Sequence, residues 1–464
     1  MRIGLILICL MCLNLNAQTS KILKESYVDS ISYVYSINGQ HTELVSIANQ
    51  AFNDGIDFYF LRYRLGISYF NQKKYLLAIE HFRKALEYYP ADFYTKEYLF
   101  YCNLYLNNIE DAKQIILMLP INFHSYYSKM IGNEKLLNIE SGYQTTSYEN
   151  SQNATTFLGI DGMYAESDRM KTLQYYQLGA NFPVTKKFKL YTGLSYIVNN
   201  RTRHIYSNDF YYIYDNQIYD YKKSVRLKDT IQDYNLKQFQ TYIGTSINLK
   251  KRFTLQAGFQ NMYYSQNKLI AKADSIKSTM LDTLIYNYRY QINENSLNNY
   301  VSSISLSKTY STINVMLGIG YSRIDKTNIY QVGGQLTYSP LGNYNLNITG
   351  GNYISLDSKK RNVLFAKVVG KMTDVLWFEV YHYQGNLKYF HESNAYVVYN
   401  ISDVIKSKSG INFAYYFHPN WTLNMRYDLL MRTATFTRYI TSSQLSLADN
   451  YLNNSFIINL IWKF

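Results

Sequence analysis

The sequence predicts a two-domain chain of the α + β class: a short N-terminal α-solenoid followed by a transmembrane antiparallel β-barrel of 12 to 16 strands, with 16 favoured. Three observations carry this. A 34-residue unit with small residues at helix-packing spacing lies between Tyr59 and Asp92. After residue 134 the hydrophobic period changes from 3.6 to 2. The chain closes on NNSFIINLIWKF, an alternating strand that ends at Phe464. Composition agrees, since 47% hydrophobic residues with a mean hydropathy of only −0.28 is what strands with one apolar and one polar face produce. No apolar run long enough for a membrane helix follows the N-terminus, which excludes a helical membrane protein but leaves a barrel open.

Residues 1–17, MRIGLILICLMCLNLNA, have one Arg, an apolar stretch from Ile3 to Leu13 and a plausible cleavage point at Ala17, the pattern of a secretory signal peptide. Cys9 follows Ile8 and Cys12 follows Met11, so neither sits behind the small residue that lipidation needs. Of the 3 cysteines only Cys102 is then left in the mature chain, which excludes an intramolecular disulfide and a cysteine metal site. An exported chain of this kind relies on packing or on a closed hydrogen-bond network.

Residues 18–133 form the helical domain. Leu65, Gly66, Tyr69, Ala78, Phe82, Ala85 and Pro90 fall on the positions of the tetratricopeptide pattern, and Arg62 stands where the pattern has Trp. Gly66 and Ala78 let two helices approach, Leu65, Tyr69 and Phe82 fill the space between them, and Pro90 stops the second helix. The unit after it keeps Leu99 and Ala112 but has Asn103 at the Tyr position; the stretch before it, Ile22 to Asp57, breaks at Asn38-Gly39-Gln40 and keeps Ala48 and Ala51. One clear and two degenerate repeats approach the minimum for a continuous core. A concave face of this kind serves a protein partner; a plain spacer is the alternative. The domain holds 11 Lys+Arg against 11 Asp+Glu and so carries no net field.

Residues 134–464 form the barrel. Phe253, Leu255, Ala257 and Phe259 interleave with polar residues or glycine, as do Ile313 to Tyr321 and Trp421 to Tyr427. Strands of 10 to 13 residues suit a tilted membrane strand, and Tyr196, Tyr263, Tyr264, Tyr321, Tyr330, Tyr338, Tyr415 and Tyr416 crowd strand ends where a phenol bridges lipid and water. Five tight links alternate with longer ones at 199–235, 268–299, 383–394 and 435–452. Sixteen candidate strands start near Leu137, Thr155, Leu173, Phe188, Gln238, Phe253, Tyr300, Thr312, Tyr330, Tyr344, Asn362, Val375, Ala395, Gly410, Trp421 and Asn454. The alternation of short and long links slips near 150–185 and near 385–410, so one strand assignment in each stretch is wrong and 12, 14 or 16 strands stay open. Phe456, Ile458, Leu460, Trp462 and Phe464 share one face, a terminal pattern that resembles the signal by which barrel assembly machinery recognises outer-membrane barrels.

Signal peptide, short tetratricopeptide array and terminal barrel together resemble the YaiO-type outer-membrane proteins. More loosely the chain is similar to the outer-membrane exporters of cellulose and of poly-N-acetylglucosamine, which join periplasmic repeats to a 16-stranded barrel. The resemblance implies the outer membrane of a Gram-negative bacterium, with the helical domain in the periplasm. It also implies lipid and lipopolysaccharide around the barrel, and a periplasmic protein partner.

The barrel domain holds 35 Lys+Arg against 22 Asp+Glu, which accounts for nearly all of the net charge of +14. A basic lumen would favour anions, with Lys187, Lys189 and Arg426 as candidate lining residues. Lys250, Lys251, Lys359, Lys360 and Arg361 instead sit at turns or strand ends, where lipid phosphates are the expected neighbours. Trp377, Glu379, Tyr381 and Tyr383 share a face directed inward, suited to a sugar track or to filling a narrow barrel. His391-Glu392-Ser393-Asn394 has the His-x-Ser spacing of outer-membrane phospholipases, but at a loop edge rather than on a lipid-facing strand. The other histidines (His41, His81, His124, His204, His382, His418) lack metal-ligand spacing. The expectation is a non-enzymatic chain with no cofactor, no metal and no nucleic-acid partner, serving export or passage of a polysaccharide or small solute. The alternatives are a plugged barrel that anchors the solenoid and, third, a surface lipid hydrolase.

Overall fold

The computed structural model describes residues 23–131, 135–148, 162–185, 188–215, 220–249, 252–277, 284–357, 359–400, 403–440 and 443–464. The expected signal peptide, with Cys9 and Cys12, and Lys187 lie outside the described residues. The chain divides into two compact units, one up to His124 and one from Ser125.

The described part of the first unit is helical: α1 Glu25–Ile37, α2 His41–Asn53, α3 Tyr59–Asn71, α4 Tyr75–Tyr88, α5 Phe93–Tyr105 and α6 Ile109–Ile116, with α7 Ile121–Met130 crossing the boundary. The first helix of each pair starts at Glu25, Tyr59 and Phe93, the second at His41, Tyr75 and Ile109. Both series step by 34. The turns inside the pairs keep the same step, because Gly39, Lys73 and Asn107 all take left-handed backbone, at φ 66°, 59° and 55°. The two repeats that look degenerate in sequence therefore keep the helix starts and inner turn of the clear one, although α6 has 8 residues against 14 in α4.

Packing explains why the central repeat is legible. Leu65, Ala78, Phe82 and Ala85 are buried, and a Cβ added to Gly66 would lie 2.5 Å from the Phe82 ring. Arg62 replaces an indole with a guanidinium that lies 3.7 Å from the Phe52 ring centroid. Asp57 holds it by two bonds, 2.7 and 2.6 Å, and it meets His81 Nδ1 at 3.1 Å. Burial first, and the adjacent Arg62 second, push the His81 imidazole down to about 4, so the ring is neutral near pH 7. Cys102 is buried, and burial raises its thiol well above the ordinary range. Asn103 is buried too and donates to the Leu99 carbonyl at 2.7 Å.

The second unit is a closed antiparallel barrel of fourteen strands, in which each pairs with its sequence neighbours and β1 pairs with β14. They are β1 Leu136–Tyr148, β2 Gly162–Pro183, β3 Phe188–Asp215, β4 Asp220–Asn248, β5 Phe253–Lys277, β6 Leu284–Tyr310, β7 Ile313–Ile324, β8 Thr327–Tyr338, β9 Leu346–Leu356, β10 Lys360–Lys371, β11 Leu376–Gly385, β12 Val404–His418, β13 Trp421–Ile440 and β14 Ser443–Lys463. Closure runs in unbroken register from Leu136↔Lys463 to Tyr148↔Tyr451. Each backbone donor along that seam is thereby satisfied without water, as a membrane strand requires.

Fourteen strands lie inside the expected 12 to 16 but replace the favoured 16. The candidate strand at Ala395 is not one: residues 386–403 hold a 3₁₀ turn, Ser393–Ala395, and one isolated bridge between His391 and Val398. The candidate start at Thr155 lies outside the described residues, and the next described strand, β2, already begins at Gly162. The links expected as loops at 199–235, 268–299 and 435–452 are largely paired backbone. The β3–β4 ribbon keeps register from Asn199↔Leu236 out to Asp215↔Asp220, about 50 Å of strand, of which the part up to Ser207 is still paired with β2 as well. These stretches carry Tyr, Asn and charge on both faces, so they lack the alternation that marked the others.

Alternation sets the two faces. Leu317 and Ile319 are 66% and 63% exposed, and Leu178, Leu194, Ile243, Phe259, Ile304, Val332, Leu364 and Val380 continue the apolar exterior around the wall. The face of Phe456, Ile458, Leu460, Trp462 and Phe464 is outward as well, with Trp462 stacked on Trp421 at 5.7 Å. Of the tyrosines expected at the interface, Tyr264 departs: it faces the lumen, where it lines a cavity with Asp325 and Tyr389.

Candidate functional site

The lumen is crossed by the described part of the connection between β11 and β12, residues 386–400. It is a small hairpin of its own, with Tyr389 N–H donating to the Tyr399 carbonyl, Tyr399 N–H to the Phe390 carbonyl and Glu392 N–H to the Val397 carbonyl, each at 2.9 Å. Its tip, Asn394-Ala395, takes left-handed backbone at φ 67° and 56°, as tight hairpin tips do. Leu387, Phe390 and Ala395 are fully buried. In the sequence this stretch reads as a link up to Asn394 and as a strand from Ala395, so nothing announces a hairpin.

One side of the hairpin is anchored by apolar packing. Leu387, Phe390 and Tyr399 join Tyr353, Val363, Phe365, Tyr381, Tyr383, Ile405 and Leu430 from β9 to β13 in one cluster. Phe390 lies edge-on to Tyr353 at 5.6 Å and stacks with Tyr399 at 5.9 Å. Tyr389 and Ala395 pack in a second cluster with Met262, Val301, Ile324 and Ile329 from β5 to β8.

Toward β2, β3 and β4 the contacts are polar. Tyr242 donates to the Asn394 carbonyl at 2.9 Å, Tyr191 and Tyr396 hydroxyls meet at 3.1 Å, Gln177 bonds Tyr396, and Asn400 donates to Gln238 at 2.8 Å. Two inward glycines make room for the hairpin. A Cβ on Gly258 would collide with the Asn394 carbonyl, and one on Gly320 with the His391 imidazole. The wall is notched where the tip and its flank seat, a signal that was readable only once the inward face was known.

Two cavities flank the hairpin on this side. One of about 600 Å³ is lined by Asn138, Lys189, Tyr191, Tyr242, Gln256, Asn394, Tyr396 and Arg426; one of about 310 Å³ by Asp168, Arg201, Tyr234, Lys268, Asp325, Tyr389 and Asn400. In the first, the rings of Tyr191, Tyr242 and Tyr396 lie 5.1 to 5.6 Å from one another.

The structure places Lys189, Glu379, Tyr381 and Arg426 against lumen cavities, with Trp377 on the same strand face as Glu379 and Tyr381. They do not form one basic track. Lys367 pairs with Glu379 at 2.9 Å, Arg426 with Asp428 at 3.4 Å, Lys408 with Glu392 at 3.5 Å and Arg201 with Asp168 at 2.7 Å. The inward cations are largely matched by carboxylates, so the basic excess of the domain does not become a basic bore. Tyr381 and Tyr383 belong to the apolar anchor of the hairpin rather than to an open track. His391 is buried, 3% exposed, with Nδ1 3.1 Å from the Glu392 carbonyl and its ring against Gly320. It faces the lumen interior, not lipid; the side chain of Ser393 lies outside the described residues. Among the described residues no group of three or more His, Cys, Asp or Glu is placed to hold a metal ion.

The tetratricopeptide repeat family model matches residues 59–92. No curated protein matches the chain. Among solved structures, the toluene transporter TodX of P. putida is similar at 8% identity and a TM-score of 0.40, covering 78% of this chain and 94% of that one. A Pseudomonas aeruginosa FadL homologue is similar at 9% identity and a TM-score of 0.33, covering 73% and 92%. The KdgM porin is similar at 8% identity and a TM-score of 0.27, covering 50% and 97%. Likeness this distant leaves function to the geometry of the chain itself, which joins a tetratricopeptide repeat to a closed fourteen-stranded barrel.

Proposed function

We propose that this protein is a non-enzymatic outer-membrane barrel that passes or exports a polysaccharide or small polar solute, with residues 386–403 as the closing element of its lumen. The observation that carries the reading is the asymmetric seat of that hairpin: an apolar cluster on β9 to β13, reinforced by Lys408 and Tyr383 on Glu392, against hydrogen bonds and the larger open cavities on β1 to β4. Groups held by hydrogen bonds exchange partners with water at a net cost of about 1 kcal/mol each, so the polar side is the one that opens. The apolar exterior supports a lipid surround, because contiguous apolar area on this scale is not left to water. The tyrosines and amides around the larger cavity suit sugar rings, whose C–H faces pack on aromatics while hydroxyls take amide partners.

The helical unit would sit in the periplasm: Leu136 and Lys463, the two ends of the barrel chain, pair at one end of the wall, and the long paired extensions of β3 to β6 leave from the other, where the longer connections face outward in such barrels. Its repeats would dock a periplasmic protein, as the YaiO-type resemblance implies. Insertion would use the barrel assembly machinery through the terminal aromatic strand, and lipopolysaccharide would surround the outer rim.

Planar-bilayer conductance tests the reading. The wild type should be nearly silent, and a variant in which residues 387–402 are replaced by a short Gly-Ser turn should conduct steadily. A non-conducting anchor, the second reading, is favoured by the filled lumen itself, and it predicts silence from both proteins. Steady conductance by the wild type would remove the closing role of the hairpin.

A further inference from the structure

The hairpin leaves a chamber of about 200 Å³ against the wall, lined among others by Gln144 of β1, Lys408 of β12, Arg426, Asp428 and Arg432 of β13. Arg432 points inward in step with Arg426 and Asp428 and is 3% exposed. Among the described residues no carboxylate lies within 4.0 Å of it, and its Nε and Nη1 have no hydrogen-bond partner. This sets it apart from its neighbours: Arg426 has Asp428, and Lys408 has Glu392 together with the Tyr399 hydroxyl at 2.9 Å. Glu140 also lines the chamber, but not within 4.0 Å of Arg432. A second donor, Gln144 Nε2, is buried in the same chamber without an acceptor.

A guanidinium taken out of water without a counter-charge costs several kcal/mol, and water alone cannot neutralise it. Donors in excess, one of them charged, call for a ligand that only accepts hydrogen bonds and carries negative charge. We infer that this chamber is a binding site for one small oxyanion, with Arg432 as its counter-ion and Gln144 as a second donor. The shared chemistry is a sulfate, a phosphate or the carboxylate of a carried solute. The site goes beyond the conduit reading and rests on lumen geometry, so it does not fail if the barrel proves silent.

Equilibrium dialysis of the purified, folded full chain in detergent, at fixed ionic strength, tests it with labelled sulfate, phosphate and acetate in separate arms. One saturable site is expected, with the preferred arm showing whether an inorganic anion or a carboxylate fits. Arg432→Gln should weaken it at least tenfold, Gln144→Leu several-fold, and Lys406→Gln, an exposed lysine bonded to Asn450, not at all. Folding of each variant is read from its heat-modifiable gel mobility. Should Arg432→Gln fail to fold, Arg432→Lys and Gln144→Leu carry the comparison. Absence of saturable binding to the wild type in every arm, or equal binding by Arg432→Gln, overturns the proposal.

Discussion

The wall from β9 to β13 and the wall from β1 to β4 face the same hairpin and treat it differently. The first gives it a continuous apolar cluster with Phe390 at its centre, to which Lys408 adds a pairing with Glu392; the second gives it single hydrogen bonds to Asn394, Tyr396 and Asn400 with cavities between them. Apolar packing has no partner in water, so it fixes the hairpin to one wall. Hydrogen bonds have a ready substitute in water, so they specify the seat of the tip without locking it. A closing element that must move needs this inequality, and a permanent plug would not.

Substitutions at the two faces should therefore have unequal effects. The largest is expected from the notches: Gly320→Ile drives a side chain into His391, and Gly258→Val drives one into the tip carbonyl, so either should open the lumen. Conductance should rise from near silence toward that of the hairpin deletion. Gly350, where an added Cβ would meet only the Phe365 carbonyl at 4.0 Å, serves as a control for glycine loss as such. Next comes the anchor. Phe390→Ala removes a fully buried aromatic ring, about 3 to 5 kcal/mol in a well-packed site, and hydrogen exchange across 386–403 should accelerate accordingly. Equal protection in wild type and variant would show that the β9 to β13 wall does not hold the hairpin. The polar face should respond least: Tyr396→Phe and Asn400→Ala are each expected to cost about 1 kcal/mol and to give brief openings rather than a steady current. If Tyr396→Phe opened the lumen as fully as Gly258→Val, the assignment of strong and weak sides would be reversed.

The helical unit supplies an independent and smaller effect, tied to pH. His81 is held neutral in the folded repeat, at about 4 against 6.5 for a free imidazole. The unfolded chain binds the extra proton between these values, so the contribution of the neutral ring is complete above about pH 6.5. It is lost as pH falls toward 4, for a total of order 3 kcal/mol. Exchange protection of residues 59–92 should drop over that window in the full chain, and His81→Phe should flatten the response. Identical acid profiles for the two proteins would mean that burial of His81 beside Arg62 does not hold the ring neutral.

Much of this was legible from the residues, and the exceptions share a cause. Ile313 to Tyr321 and Phe253 to Phe259 announced membrane strands because lipid selects their outward face. Leu65 to Pro90 announced a repeat because close helix approach selects Gly66 and Ala78. The flanking repeats kept their 34-residue step through Gly39 and Asn107, although their packing residues had drifted. What escaped was set by the lumen, where packing partners come from many strands and leave no local period. The hairpin at 386–403 read as a strand start at Ala395 because Ala395, Val397 and Tyr399 alternate by accident of a short bridge. Tyr264 read as an interface residue because its neighbour Tyr263 is one. The extramembrane ribbons of β3 to β6 read as loops because neither face is apolar.

A cross-link across the lumen tests the seat of the hairpin most directly. Ser305 Oγ on β6 lies 3.3 Å from Asn394 Oδ1 at the tip, and with Cys9 and Cys12 replaced by Ser the buried Cys102 is the one other cysteine, so Ser305→Cys with Asn394→Cys gives a clean thiol pair. A short bifunctional maleimide applied to the barrel in lipid should join this pair within one chain. It should leave unjoined the control pair Ile348→Cys with Asn394→Cys, in which the first thiol faces outward on β9. A hairpin seated across the lumen predicts that outcome; labelling of both thiols at 305 and 394 without a bridge between them would contradict it.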